Sequence, residues 1–305
     1  MHIDRVGNVT CGLGEGPLWD VAEQALYFMD VLARKVRRYH PATDSFAQWD
    51  TPHSVSSLAL DADGGALLTM SNGLYSFDFA TGTATLIADP ELDQPFTILN
   101  DGKADRRGRF VFGSVATDHS SPISGLYKTE CGVVTRLDEG FTISNGPCWS
   151  PDGSVFYFAD SVPHATIYAY DYDLDRGTVA NRRVFANSRE LGGFPDGATV
   201  DAEGRVWTAL CGAAKIACYE ANGTLAEIVD VPPRLVSSVM FGGADLDQLY
   251  VTSMDPAALG FNAGEADAAG GQLFVISDLG ACGIPEPRYR SAAAPRGRAA
   301  GNPIS

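Results

Sequence analysis

Hydrophobic and polar residues alternate over short stretches along most of the chain, and this period of two is typical of half-buried β-strands. No long stretch shows the 3.6-residue period of a helix. Six of the alternating stretches follow a turn built from Asp, Gly, Glu or Arg. They cover residues 25–29, 66–70, 109–113, 155–159, 205–209 and 248–252. The pattern therefore predicts an all-β fold.

A second alternating stretch follows each of the first six, so every repeat predicts two hairpins, or four strands. This second set covers residues 36–39, 73–77, 125–128, 166–170, 215–219 and 272–276. Turn glycines at positions 64, 108, 153 and 204 recur about every 44 to 51 residues, which is the length of a propeller blade. The sequence predicts a six-bladed β-propeller of four-stranded antiparallel blades. A β-sandwich, the structural alternative, does not explain a sixfold repeat.

Aligning the repeats places one polar residue at the start of each innermost strand. The six positions are Glu15, Ser56, Asn100, Asn145, Asp196 and Ser238. The rotational symmetry of a propeller brings such positions together at one mouth of the central channel. Two carboxylates and two amide oxygens suit a divalent cation, and the carboxylate charge is costly there without one. Each position alone is also typical of a turn, but the shared register favours a metal site.

Composition narrows the class of protein. The 305 residues carry a formal net charge of −16, which repels phosphate backbones, so we expect no nucleic-acid partner. No apolar run reaches the ~20 residues of a membrane span, and no signal-peptide pattern is seen, so the expected location is cytoplasmic. The six scattered cysteines are expected to be buried small hydrophobes rather than catalytic or zinc-binding.

The repeats indicate a single domain over residues 1–290. Residues 291–305 show no strand pattern, are rich in Ala, Gly and Pro, and are predicted to form a mobile C-terminal tail. We expect a monomer or a weak homo-oligomer.

Four ordered motifs resemble the gluconolactonase-like family of regucalcin (senescence marker protein 30). They are residues 14–19 (GEGPLW), 100–105 (NDGKAD), 144–150 (SNGPCWS) and 195–197 (PDG). The likeness runs from about Glu15 to Phe274, and it is closest to bacterial sugar lactonases such as xylonolactonase.

The resemblance implies one divalent metal ion, of calcium, zinc, manganese or iron(II), held by Glu15, Asn145 and Asp196. It implies that Asn100 lies near the metal and contacts substrate, and that Asp118 binds sugar hydroxyls. Ile98 stands where relatives often carry Arg. This departure favours a less hydroxylated lactone.

The expected function is hydrolysis of a sugar lactone or a similar small lactone to the hydroxy acid. The metal would polarise the carbonyl, and Asp196 would act as general base and acid. Two alternatives stay open: an esterase or phosphotriesterase at the same site, and a non-catalytic calcium-binding propeller. His119 and His164 fall between strands, and we expect them to be exposed to solvent rather than functional.

Overall fold

A computed structural model describes residues 1–261 and 267–291, and these residues form 24 strands in six four-stranded sheets. Five sheets use consecutive strands. Blade 1 holds β2 (Gly14–Asp20), β3 (Ala25–Asp30), β4 (Lys35–His40) and β5 (Ser45–Asp50), and blade 2 holds β6 (Val55–Leu60), β7 (Ala66–Met70), β8 (Gly73–Asp78) and β9 (Thr83–Ala88). Blade 3 holds β10 (Thr97–Ala104), β11 (Phe110–Ala116), β12 (Ser124–Glu130) and β13 (Val133–Phe141), and blade 4 holds β14 (Ser144–Trp149), β15 (Val155–Asp160), β16 (Thr166–Asp173) and β17 (Thr178–Asn187). Blade 5 holds β18 (Phe194–Val200), β19 (Val206–Cys211), β20 (Lys215–Tyr219) and β21 (Leu225–Asp230).

The sixth blade joins the two ends of the propeller. It holds β22 (Val236–Gly242), β23 (Gln248–Ser253) and β24 (Gln272–Ser277), with β1 (His2–Thr10) as its outer strand. β1 pairs antiparallel with β24, from His2 opposite Ser277 to Arg5 opposite Phe274. The hydrogen bonds between β1 and β24 close the ring and protect an edge that would otherwise be open.

The predicted fold class, a six-bladed β-propeller with four-stranded antiparallel blades, is confirmed. The twelve predicted stretches are the second and third strands of the blades; residues 66–70, for example, coincide with β7. Helical structure in the described residues is limited to two short 3₁₀ turns, Pro41–Thr43 and Arg189–Leu191. Within the same residues, no helix has the length and apolarity needed to cross a bilayer.

Large aromatic side chains pack between neighbouring blades. Trp19 of blade 1 stacks on Tyr250 of blade 6 at 5.5 Å between ring centroids. Trp207 of blade 5 meets Phe241 of blade 6 edge-on at 6.0 Å. Such pairs add about 0.5–1.5 kcal/mol each beyond the burial of their surface. They fix the angle between blades and hence the spacing of the inner strands.

The inner strands β2, β6, β10, β14, β18 and β22 pack side by side around a central channel. All six begin at one face of the propeller, which we call the mouth, and end at the opposite face. At that opposite face, Glu286 forms ion pairs with Lys103 at 3.7 Å and with Arg106 at 3.4 Å. Tyr289 forms a parallel β-bridge with Asp61, the residue that follows β6. The segment after β24 therefore covers the far end of the channel and leaves the mouth for ligands.

The predicted tail lies outside the described residues, apart from Ser291 at its start. The cysteine expectation is correct for Cys11, Cys148 and Cys218, which are buried, and wrong for Cys131 and Cys282, which are exposed. Both exposed thiols lie in loops on the face opposite the mouth, where no core packing covers them.

Candidate metal centre and active site

Four of the six aligned polar residues carry the candidate site, and we call them the mouth residues: Glu15 on β2, Asn100 on β10, Asn145 on β14 and Asp196 on β18. Asn145 and Asp196 are buried, whereas Glu15 and Asn100 are half-buried. The ladder between the first and second strand of each blade loses its regular register at these residues. Such bulges release residues from the ladder and redirect their side chains. The irregularities thus direct the polar groups into the channel.

Glycines next to the mouth residues let neighbouring inner strands approach closely. Gly16 and Gly146 have φ of +51° and +58°, a region that other residues rarely adopt. A Cβ on Gly16 would lie 2.9 Å from the carbonyl oxygen of Ser56, and one on Gly146 would lie 2.7 Å from that of Asp196. A larger side chain at either position would push two inner strands apart. These glycines therefore set the distance between the mouth residues.

The two amides are in direct contact. The Asn100 side chain donates from Nδ2 to Asn145 Oδ1 at 2.8 Å and to the Ser144 carbonyl oxygen at 2.8 Å. Because its amide nitrogen serves both acceptors, Asn100 keeps Oδ1 for other donors or a cation. The carbonyl oxygen of Asn100 accepts from Thr69 Oγ1 at 2.8 Å, which ties β10 to blade 2. The structure thus joins two of the predicted residues through their side chains.

Burial and nearby negative charge raise the pKa of both carboxylates. Burial raises the pKa of Glu15 well above its usual value, and the charges of Asp196 and Asp101 raise it further. Burial also raises the pKa of Asp196, with a further contribution from Asp101. Three carboxylates therefore share one confined region. A cation placed among them would offset both the desolvation and the mutual repulsion.

Asp101 is the residue that the sequence reasoning missed. Its two oxygens accept the backbone N–H groups of Gly102 at 2.8 Å and Gly146 at 2.9 Å, so it joins β10 to β14. Burial raises its pKa, and the nearby Lys103 opposes that rise. The signal lay in the Asn-Asp-Gly motif, since a bulge there can turn both Asn100 and Asp101 towards the channel.

The donor set fits a hard divalent cation. Carboxylate and amide oxygens are its preferred ligands, and the raised pKa values of Glu15 and Asp196 show that their charged forms are unfavourable in this site without a cation. Across residues 1–261 and 267–291, no three His, Cys, Asp or Glu side chains form a metal-binding group. The predicted ligand set contains only two such residues, Glu15 and Asp196, because its third member, Asn145, is an amide. Below it the channel narrows to a cavity of about 10 Å³, room for about one water.

The remaining predicted residues have other surroundings. Asp118 lies in the loop between β11 and β12 on the mouth face, where its carboxylate accepts from the N–H groups of Ser120 and Ser121. Hydrogen bonds from Ser121 hold its pKa well below the usual range. Ile98 is 38% exposed on β10. The assignments of Asp118 and Ile98 to substrate stay predictions.

Ser56 and Ser238 belong to the framework. Ser56 donates to the carbonyl oxygen of Asn100 at 3.1 Å, and Ser238 packs where any side chain on Gly197 would have to go. His119 and His164 are exposed, as expected.

Comparison with known proteins identifies the family. Residues 13–255 match the family described as the SMP-30/gluconolactonase/LRE-like region. The chain belongs to this family. It is 36% identical to pentonolactonase XacC of Haloferax volcanii over 94% of this chain and 98% of that protein. It is 30% identical to regucalcin of Oryctolagus cuniculus over 95% and 98% of the two chains. The resemblance predicted from the four motifs is confirmed, and with it the class of the enzyme, a lactonase-type hydrolase.

Solved structures agree with this membership. The chain is similar to a calcium-binding protein, regucalcin, from Agrobacterium tumefaciens, with a TM-score of 0.86 and 29% identity over 94% of this chain and 96% of that one.

The crowded carboxylates predict that Glu15→Gln stabilises the metal-free protein near neutral pH. In the wild type, the Glu15 carboxyl binds its proton more tightly in the folded state than in the unfolded state. The free energy of unfolding therefore falls as pH rises from the unfolded pKa of ~4 towards the raised folded pKa. Removing one charge should raise the free energy of unfolding at pH 7.5 by about 1 kcal/mol or more. Urea unfolding of chelator-treated protein measures it.

The gain should vanish near pH 3, below the unfolded pKa of ~4, where the wild-type carboxyl is protonated in both states. Glu227→Gln, on the exposed surface of β21, is the matched control and should show no gain at either pH. A Glu15→Gln protein that is less stable than wild type at pH 7.5 contradicts the crowding argument.

Proposed function

We propose that this protein hydrolyses a sugar lactone, or a similarly small lactone, at one divalent metal ion held by Glu15, Asn145 and Asp196. The observation that carries the proposal is the confinement of Glu15, Asp101 and Asp196. Burial raises the pKa of Glu15 and of Asp196, Asp196 and Asp101 add to the rise at Glu15, and Asp101 adds to the rise at Asp196. The family membership and the similarity to a pentonolactonase support a lactone as the substrate. Oxygen-only donors favour calcium or manganese over softer ions.

When bound, a divalent metal supplies Lewis acidity towards the lactone carbonyl. Asp196 accepts a proton from the attacking water while the water oxygen bonds to the carbonyl carbon. The bond from that carbon to the ring oxygen then breaks, and Asp196 returns the proton to the departing alkoxide oxygen. A carboxylate beside the reacting carbon can make both transfers, since it can accept a proton in one step and donate it in the next.

Asn100 and Asp101 have supporting roles. Asn100 is held by its donor atoms to Ser144 and Asn145, so its Oδ1 is available to accept from a substrate hydroxyl. Asp101 is bonded to two backbone N–H groups and therefore fixes β10 and β14 relative to each other. Burial raises the pKa of Asp196, and the charge of Asp101 adds to that rise.

Apolar side chains surround the approach to the site. The residue two positions before each mouth residue is Leu13, Ile98, Ile143 or Phe194, and we call these four the collar. Ile98 on β10 and Phe194 on β18 share a strand with Asn100 and Asp196, and side chains two apart on a strand point to the same side, towards the channel mouth. Leu13 and Ile143 directly precede β2 and β14. Ile98 is 38% and Phe194 40% exposed, although both are large and apolar.

The collar favours a lactone with few hydroxyl groups. A substrate hydroxyl that faces Ile98 or Phe194 loses its hydrogen bonds to water and gains none, at a cost of about 1–3 kcal/mol. A shorter lactone, or one that turns CH groups towards the collar, avoids this cost. We therefore propose that six-carbon polyhydroxylated lactones are poorer substrates than smaller or less hydroxylated ones.

Asp196→Asn should abolish hydrolysis while the protein stays folded, because it removes both an anionic metal ligand and the proton acceptor. The loss in kcat should exceed the ~10²–10⁴-fold typical of an acid–base group alone. A pH-stat assay with excess metal measures it, and circular dichroism checks the fold. A folded variant with kcat near that of the wild type removes Asp196 from the mechanism.

Ile98→Arg should shift preference towards six-carbon polyhydroxylated lactones, because a guanidinium can pair with their oxygens. The ratio of kcat/KM for a gluconolactone over a less hydroxylated lactone should rise about tenfold, or ~1.4 kcal/mol. Leu32→Arg, in the turn between β3 and β4 on the same face, is the charge-matched control. If the wild type already prefers gluconolactone and Ile98→Arg brings no gain, the collar does not select substrate.

A further inference from the structure

Ser161 bridges the two strands that carry Asn145 and Asp196. It directly follows β15, is 3% exposed, and belongs to none of the motifs singled out in the sequence. Its hydroxyl oxygen lies 2.9 Å from Asn145 Nδ2 and 2.5 Å from the carbonyl oxygen of Pro195, the residue before Asp196. One buried hydroxyl thus connects β14 of blade 4 to β18 of blade 5.

The proton count at this hydroxyl fixes the orientation of the Asn145 amide. A carbonyl oxygen can only accept, so Ser161 gives its single proton to Pro195. The Ser161 oxygen can then only accept from Asn145, which must present its NH₂ group there. The amide oxygen of Asn145 consequently points away from Ser161.

Contacts on the other side of Asn145 give the same orientation. Its Oδ1 accepts from Asn100 Nδ2 at 2.8 Å, so the oxygen faces the remaining mouth residues. The main chain of Ser161 is also fixed: its N–H donates to the Ile143 carbonyl at 3.0 Å, and its own carbonyl accepts from Ala165 N–H. The hydroxyl therefore acts from a fixed position.

We propose that Ser161 is a positioning residue of the metal centre: it selects the orientation of Asn145 that presents oxygen, rather than nitrogen, to the cation. The inference rests on the proposed metal site and adds a residue that touches neither metal nor substrate. Without the hydroxyl, the Asn145 amide loses the acceptor for its NH₂ group and can rotate, turning a donor towards a cation. Partners of this kind typically change metal affinity by 10–100-fold.

The test measures the dissociation constant for Ca²⁺ and for Mn²⁺ by calorimetry on chelator-treated protein, independently of activity. Ser161→Ala should weaken binding 10–100-fold. The matched control is Ser253→Ala, which removes an equally buried hydroxyl that donates to the Gln272 carbonyl at 2.7 Å in blade 6. It should bind metal as the wild type does. Circular dichroism of the metal-free proteins establishes that all variants are folded.

A second background separates amide orientation from simple packing. Asn145→Asp presents an oxygen whichever way its side chain turns, so Ser161→Ala should cost little metal affinity when added to Asn145→Asp. If the hydroxyl only packs the blades together, its removal should lower metal affinity by the same factor in both backgrounds.

Equal losses in the two backgrounds, or a Ser161→Ala protein with unchanged affinity, would overturn the inference and leave the proposed function intact. A wild-type protein that binds neither ion would overturn the metal centre itself and the inference with it.

Discussion

Confined negative charge is the constraint on which the rest of the site depends. Glu15, Asp101 and Asp196 come from three different blades, yet burial and the charges of Asp196 and Asp101 raise the pKa of Glu15, and burial and the charge of Asp101 raise that of Asp196. Like charges in a narrow channel mouth destabilise the metal-free protein, and a bound cation would offset this cost. The blade packing must hold these groups together against their repulsion.

Close backbone approach and hydrogen bonds between blades, rather than large side chains, hold these groups together. Gly16 and Gly146 allow neighbouring inner strands to approach within contact distance, and Asp101 binds the N–H of Gly146 on the next blade. The Ser161 hydroxyl bridges the following pair of strands. Each link crosses a blade boundary, so the spacing of the mouth residues is set by contacts between blades.

The sequence predicts most of the fold because turn and strand patterns are local and recur six times. It predicts the shared position of Glu15, Asn100, Asn145 and Asp196 because the register repeats. The pairing of β1 with β24, which closes the ring, could not be predicted from the sequence. An alternating pattern predicts a strand but not the neighbouring strand with which it pairs. Asp101 was missed for a related reason: its direction depends on a bulge. Ser161 acts through contacts up to 34 residues away that no local pattern encodes.

The most direct test of the account is lactone hydrolysis by metal-stripped and reconstituted protein, followed by pH-stat over a lactone panel. The account predicts that chelator-treated protein is inactive and that one equivalent of a divalent metal restores turnover. Full activity without metal would contradict the metal centre. Stoichiometric calcium binding without hydrolysis of any lactone would contradict the proposed lactonase activity and favour a calcium-binding propeller. Turnover confined to phosphotriesters would contradict the proposal that the substrate is a lactone.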